Sequence, residues 1–394
     1  MTSSAVVAGS GPLLQPLAFT PEEYASRLGR VREAMQQRDI EVFLSWTPEN
    51  ILYLTGHDSI GYYFYQCCVV TLDHDPVNVV RRAMAECTWD RSAYRLAAPY
   101  FDHEDPIELT WRVIAELAPK ASRIGAEHNA WFTSPARFAQ LLHRAPAGTV
   151  VCDASMLVER LRVVKSEREL EYIRRGCQVA DAAMAAGIAA TAAGARDTDV
   201  AIAVWSTILR TGSQEAGVPP ILATGHRTNL PQATWCGRRI VDGDRAWYEI
   251  PGVFERYVGC LGRSGSVGPP SAEFARRAEA AREATSNAIE AIRPGIEACD
   301  VHRVCRDTYR RAGYGEEHLA RSGYSIGLNY APDWGEGHIV SFMENDRTPL
   351  EPNMTFHLMP SLRAEYNTCL SEAIRVSDDG CEVLTATPRE LFIR

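Results

Sequence analysis

The stretch "MLVERLRVVKSERELEYIRRGCQVADAAMAAGIAA" (156–190) divides the chain. It is a long run at helical spacing, with Ser166 as its N-cap and Glu167 and Glu169 in the first turn. Before it, helix and strand signals alternate. "TPEEYASRLGRVREAMQQRDI" starts a helix with Thr20 as N-cap and Pro21 at the first helical position. "EVFLSWTPENILYLTG" reads as a buried strand, a turn and a short helix; "YYFYQCCVVTL" and "RIGAEH" are further strands, and "SPARFAQLLHRA" is helical. The second half begins with three helices, about 167 to 190 within this run, then 197 to 211 and 271 to 291, interleaved with strand-like stretches. Two strand candidates, "MTFHLMPSL" and "CLSEAIRVSDDG", close the chain, and no internal repeat or low-complexity segment interrupts it. The pattern predicts two α/β (α+β) domains, 1–157 and 158–394.

Composition narrows the function. With 394 residues, 46% of them apolar, there is material for two packed cores. The formal charge of −9 and the lack of a dense Lys/Arg run leave no footprint for nucleic acid, which is bound by neutralising phosphates. No stretch approaches the roughly 20 apolar residues that span a bilayer, and the opening "MTSSAVVAGSGPLLQPLAF" lacks a signal-peptide pattern. A membrane partner is therefore not expected, and the cytoplasm is the expected compartment. Eleven cysteines without a Cys-x-x-Cys pair fit reduced thiols. Cys299, His302 and Cys305 share a helical spacing, but no fourth ligand for zinc stands near them, so they read as buried core residues.

The segments "LRVVKSERELEYIRR", "VDGDRAWYEI", "GYSIG", "PNMTFHLMP" and "VSDDG" come in an order that resembles the pita-bread family of methionine aminopeptidases, prolidases and creatinases. That resemblance implies a creatinase-like α/β domain at the amino end and a pita-bread domain, a curved antiparallel sheet covered by helices, at the carboxyl end. In metal-dependent members two aspartates, a histidine and two glutamates hold two divalent ions. By spacing these positions fall on Glu249, Cys260, Tyr324, Met359 and Ser371, with Glu372 beside the last. Hard divalent ions want several oxygen or imidazole donors, which this set does not supply. The resemblance is therefore to metal-free members such as creatinase, and within them to the ectoine-hydrolase group. "GYSIGLNYAPDWGE", "MTFHLMP" and "PRELF" match that group; "YVGC" at 257–260 and "MPSLR" at 359–363 depart from it. It implies no metal, no cofactor, and a homodimer in which "SIGYYFYQ" (59–66) lies near the partner's site.

Opening an amidine or amide without a Lewis acid needs an activated nucleophile, a proton donor and a counter-charge for a cationic centre. Glu249, His357 and Glu372 are the expected catalytic residues. His357 is two residues from Met359 and shares its face, whereas Glu372 turns inward only through a bulge or shifted register. Tyr324 replaces the imidazole and donates one hydrogen bond. Cys260, Met359, Asp333, Trp334 and Glu336 are expected around a small polar substrate, with Arg363 holding a carboxylate. Thr234 and Trp235 stand where the family places an additional catalytic histidine, and Arg263, which follows the second ligand position, reads as structural. The expected activity is metal-independent hydrolysis of a C–N bond in a small cyclic amidine, amide or guanidino amino acid. The same acid and base without attack by water would make a lyase or cyclase, and the scaffold kept for interaction alone would be a silent binding protein.

Overall fold

The computed structural model describes residues 4–13, 15–318, 320–333, 335–363 and 367–394. It forms two compact units, Met1–Arg162 and Val163–Arg394; the sequence reading sets its boundary at 157.

The first unit is built on a seven-stranded mixed sheet in the order Val7–Ala8, Leu96–Tyr100, Val77–Arg81, Gln66–Thr71, Val42–Ser45, Arg123–Ala126, Val150–Asp153. Val42, Leu44, Val69, Val77, Val79 and Ile124 fill its core, joined by Trp46 and by Val113 from helix Pro106–Leu117. Local chemistry places the helices. Thr20 caps Pro21–Gln37 by accepting from the Glu23 N–H at 3.3 Å, with Pro21 in the first turn, where its missing N–H costs nothing.

In the second unit, Ser166 and Glu169 form a reciprocal capping box at the start of helix Glu167–Ala190. This helix lies on the hairpin formed by strands Arg245–Phe254 and Tyr257–Ser266. The approach depends on glycine: a Cβ on Gly176 would meet the Gly252 carbonyl oxygen at 2.5 Å, and one on Gly259 would meet the Cys177 nitrogen at 2.2 Å. The hairpin belongs to a four-stranded sheet in the order Phe392–Ile393, Tyr257–Ser266, Arg245–Phe254, Ile221–Thr224. A second, wholly antiparallel sheet has the order Ser341–Phe342, Gly323–Ser325, Thr355–Leu358, Glu372–Val376, Cys381–Val383. Together with its helices this is the pita-bread arrangement.

The closing strand candidates are each broken in two. "MTFHLMPSL" becomes Thr355–Leu358 and Ser361–Leu362, and "CLSEAIRV" becomes Thr368–Cys369 and Glu372–Val376. Pro360 cannot donate to a ladder and coincides with the first break. At the second, Leu370 bridges to Arg263 and the Ser371 N–H reaches the Gly262 carbonyl at 3.0 Å, so the chain crosses from one sheet to the other there. A further helix, Ala298–Arg311, carries Cys299, His302 and Cys305 as buried residues. His302 Nδ1 lies 2.8 Å from Ser322 Oγ, and burial pushes its imidazole down to about 4, so it is a neutral, bonded core histidine.

Among the described residues no helix is long and apolar enough to cross a membrane.

Candidate active site

Glu249 lies mid-strand, across from Gly262 on one side and Ile221 on the other. Residues paired across strands share a face and neighbours alternate, so Trp247 and Glu249 point the same way as Cys260 and Gly262. In the second sheet Tyr324 pairs with His357, and His357 with Ala373. That register puts Tyr324, His357, Met359 and Ser371 on one face. Glu372 pairs with Leu358 and takes the other.

The two faces contribute to a cavity of about 190 Å³ lined by Trp247, Glu249, Arg321, Tyr324, Asp333, Met359, Ser361, Arg363, Asn367 and Cys369, with Val218, Ile221, Gln232 and Ala320 completing the wall. Glu249 is the buried carboxylate in it, 7% exposed. Burial pushes its carboxyl up to about 7, and the Arg363 guanidinium pulls the other way. Behind it His357 is fully buried. Its imidazole is pushed down to about 3, first by burial and then by the charges of Arg321 and Arg263. The 3.8 Å between His357 Nδ1 and Glu249 Oε1 is therefore an approach of a carboxyl to a neutral ring rather than an ion pair. Both ring nitrogens are engaged: Nδ1 lies 3.0 Å from the Tyr324 hydroxyl and Nε2 2.7 Å from Ser371 Oγ.

Glu372 does not join this group. Its carboxylate accepts from Arg263 Nη2 at 3.0 Å, from Arg389 Nε at 3.0 Å, and from the Thr385 hydroxyl, and it is 2% exposed. The regular register supplies neither the bulge nor the slip that an inward turn needs, so the side chain occupies an ion-pair network on the opposite face. Arg263, in the same network, also donates to the carbonyls of Pro388 and Thr387 at 2.8 and 2.6 Å. The "PRELF" segment is thus a docking strap. Its Phe392 stacks on Tyr248, ring centroids 5.5 Å apart.

The other expected site residues divide. Met359, Asp333 and Arg363 line the cavity with Tyr324 and Glu249. Cys260 is fully buried outside its lining, its thiol held well above the usual range by burial first, then by Cys177 and Glu249, which makes it a poor nucleophile. Glu336 turns away to a buried ion pair with Lys165, 2.7 Å apart. Thr234 Oγ1 is engaged near the Pro220 carbonyl and the Leu222 N–H, both at 3.4 Å, and Trp235 packs on the core beside helix Glu167–Ala190; neither lines the cavity. Trp334 lies outside the described residues. Arg321 was not anticipated. It lines the cavity with its guanidinium over the Tyr324 ring at 4.3 Å, anchored on Ser341 Oγ at 3.0 Å. A cation just before a cavity strand was the available signal.

The five family ligand positions do not make a metal site here. Among the described residues no three His, Cys, Asp or Glu side chains gather as a metal ion would require. The set is one carboxyl, one buried thiol, a phenol bonded to His357, a thioether, and a hydroxyl already engaged by Gly262 and His357. A hard two-metal site is not supported by these donors.

Fold and site define a two-domain pita-bread protein of the creatinase and prolidase type. The chain belongs to metallopeptidase family M24: the model of that family matches residues 171–381, and the creatinase/prolidase N-terminal domain matches 27–164. It is 30% identical to an ectoine hydrolase of Halomonas elongata over 96% of this chain and 99% of that one. It is 27% identical to a Xaa-Pro dipeptidase of Pyrococcus furiosus over 60% of this chain and 67% of that one. Among solved structures it resembles a prolidase of Pyrococcus horikoshii, with a TM-score of 0.82 at 21% identity over 93% and 99% of the two chains. A dipeptidase, PepE of Mycobacterium ulcerans, gives 0.81 at 22% identity over 95% and 99%.

Proposed function

We propose that this chain is a metal-independent hydrolase that opens a C–N bond of a small cyclic amidine, amide or guanidino amino acid. The observation that carries the reading is the environment of Glu249. A carboxyl raised to about 7 by burial faces a small cavity that also holds two guanidinium groups, at the position where metal-dependent relatives place their first ligand. Near neutral pH such a group both accepts a proton from water and, ionised, compensates a cationic amidinium. Arg321 and Arg363 suit a carboxylate on the same substrate. The likeness to an ectoine hydrolase over nearly the whole chain supports C–N hydrolysis.

Ectoine itself is expected to be a poor substrate. Arg363 and the "YVGC" segment depart from the ectoine-hydrolase pattern, and two arginines favour a more acidic ligand. The protein is proposed to work as a homodimer, on the family resemblance, and in the cytoplasm, for which the eleven free thiols are the support.

The test is incubation with ectoine, creatine, a panel of cyclic amidines and amides, and Xaa-Pro dipeptides, with and without chelator, followed by mass spectrometry. Addition of one water to a ring or guanidino compound, insensitive to chelator, is the expected result. Efficient opening of ectoine would refute the divergence argument. Cleavage of Xaa-Pro only when metal is added would replace the reading with a dipeptidase, and a product formed without gain of water would make it a lyase or cyclase.

A further inference from the structure

The direction of the hydrogen bonds behind the cavity is fixed by a backbone amide. Ser371 is fully buried, and its Oγ accepts from the Gly262 N–H at 2.6 Å. That N–H can only donate, so the Ser371 proton needs another acceptor. Among the described residues the acceptor within reach is His357 Nε2, at 2.7 Å. Nε2 therefore presents its lone pair, and the neutral ring carries its single proton on Nδ1. The Nδ1–H in turn points at the Tyr324 hydroxyl oxygen, 3.0 Å away, which accepts it. The phenol O–H is left to donate away from the ring, and Tyr324 lines the cavity that Glu249 also faces.

We propose that Tyr324 is the proton donor of the site, and that Ser371 and His357 are positioning residues that turn its O–H into the cavity. The final step rests on the hydrolytic reading; the hydrogen-bond direction does not. Glu249 takes a proton from water as the water oxygen bonds to the amidinium carbon. The C–N bond then breaks with its electron pair passing to nitrogen, which takes the Tyr324 proton. As the carbonyl forms, the intermediate's hydroxyl proton returns to the phenolate, and the proton on Glu249 leaves with the amine as ammonium. One water is added and every side chain is restored. The fixed Nδ1–H stabilises the phenolate oxygen at the moment charge develops on it. With the other tautomer, Nδ1 would accept the phenol proton and hold it away from substrate.

The full-length protein, labelled with nitrogen-15 at histidine, is examined by long-range proton–nitrogen correlation, with His357→Gln identifying the His357 signals. The expected spectrum has His357 protonated at Nδ1. Ser371→Ala moves the proton to Nε2, and Ser371→Thr, which keeps the hydroxyl, restores Nδ1. On the substrate found in the panel above, Tyr324→Phe lowers kcat by about 100-fold or more with KM little changed. A wild-type ring protonated at Nε2 overturns the inference even if Ser371→Ala fails to fold, and so does wild-type turnover by Tyr324→Phe. An Nδ1–H ring in a protein that opens no member of the panel would overturn the hydrolytic reading and the proton-donor role with it, leaving only the positioning contacts.

Discussion

Glu372 Oε1 lies 3.0 Å from Arg263 Nη2, on the sheet face opposite His357. Arg263 is 1% exposed, so removing its carboxylate leaves a buried cation without compensation. Glu372→Ala is expected to lower stability by about 3–5 kcal/mol. Turnover per folded molecule should stay within about tenfold of wild type, since an acid or base in contact with substrate would cost at least about 100-fold. Urea denaturation with active-site titration separates the two effects.

Glu249→Gln is expected to lower turnover by about 100-fold or more, with the fold intact by circular dichroism. With the ionised carboxylate as the proposed base, wild-type activity is expected to rise as pH climbs through about 7, the value to which burial raises it. Arg363 opposes that rise, so Arg363→Gln should move the limb to higher pH.

The same shift sets a stability slope. Folded Glu249 keeps its proton above the ordinary value of 4.5, so the folded state binds more protons than the unfolded chain between about 4.5 and about 7. The contribution of Glu249 to stability should therefore fall as pH rises through that window and level off above it; the buried neutral rings of His57, His302 and His357, held below the ordinary histidine value of 6.5, contribute the opposite slope up to that value. Glu127, raised by burial and by Glu159, adds a slope of the same sign as that of Glu249. Glu249→Gln should remove its contribution, so that the stability of wild type minus that of the variant falls between about pH 4.5 and about 7; a difference independent of pH would show that Glu249 titrates normally.

Purified protein is expected to hold less than one divalent ion per chain by elemental analysis, and to keep its activity in strong chelator. Stoichiometric manganese, iron, cobalt or zinc, with activity lost on removal, would contradict the reading of the substituted donor set.

A Cβ at position 262 would stand 2.5 Å from the Trp247 ring and 3.0 Å from Ser371 Oγ. Gly262→Ala should therefore destabilise by about 1–3 kcal/mol, the usual range for overpacking. It should also weaken ligand binding by pushing Trp247 into the cavity it lines. Thermal unfolding and calorimetric titration test both.

Light scattering at micromolar concentration is expected to give the mass of a dimer. Tyr63 and Ile60, 73% and 66% exposed in the "SIGYYFYQ" segment, are the residues whose replacement by serine should shift the mass toward monomer.

Much of this was legible in sequence because it is local. Thr20 and Ser166 announce their helices through short-range hydrogen bonds, and both caps form. The substitutions at Tyr324 and Met359 could be read once the family resemblance of "GYSIG" and "MTFHLMP" placed the old ligand positions. Which side chain beside a ligand position faces the cavity was not legible. Ser371 and Glu372 are neighbours, and a strand sends them to opposite faces. The deciding fact is the pairing of Glu372 with Leu358, together with the crossing at Ser371 that brings it to Gly262. Arg321 and Glu336 show the same limit: one reaches the cavity and the other is drawn to Lys165, 171 residues away in sequence. By itself the sequence determined the elements, their caps and the residue types at the old ligand positions. Tertiary structure alone decided which of those residues share a space, because strand register and long-range ion pairs join segments that no local pattern connects.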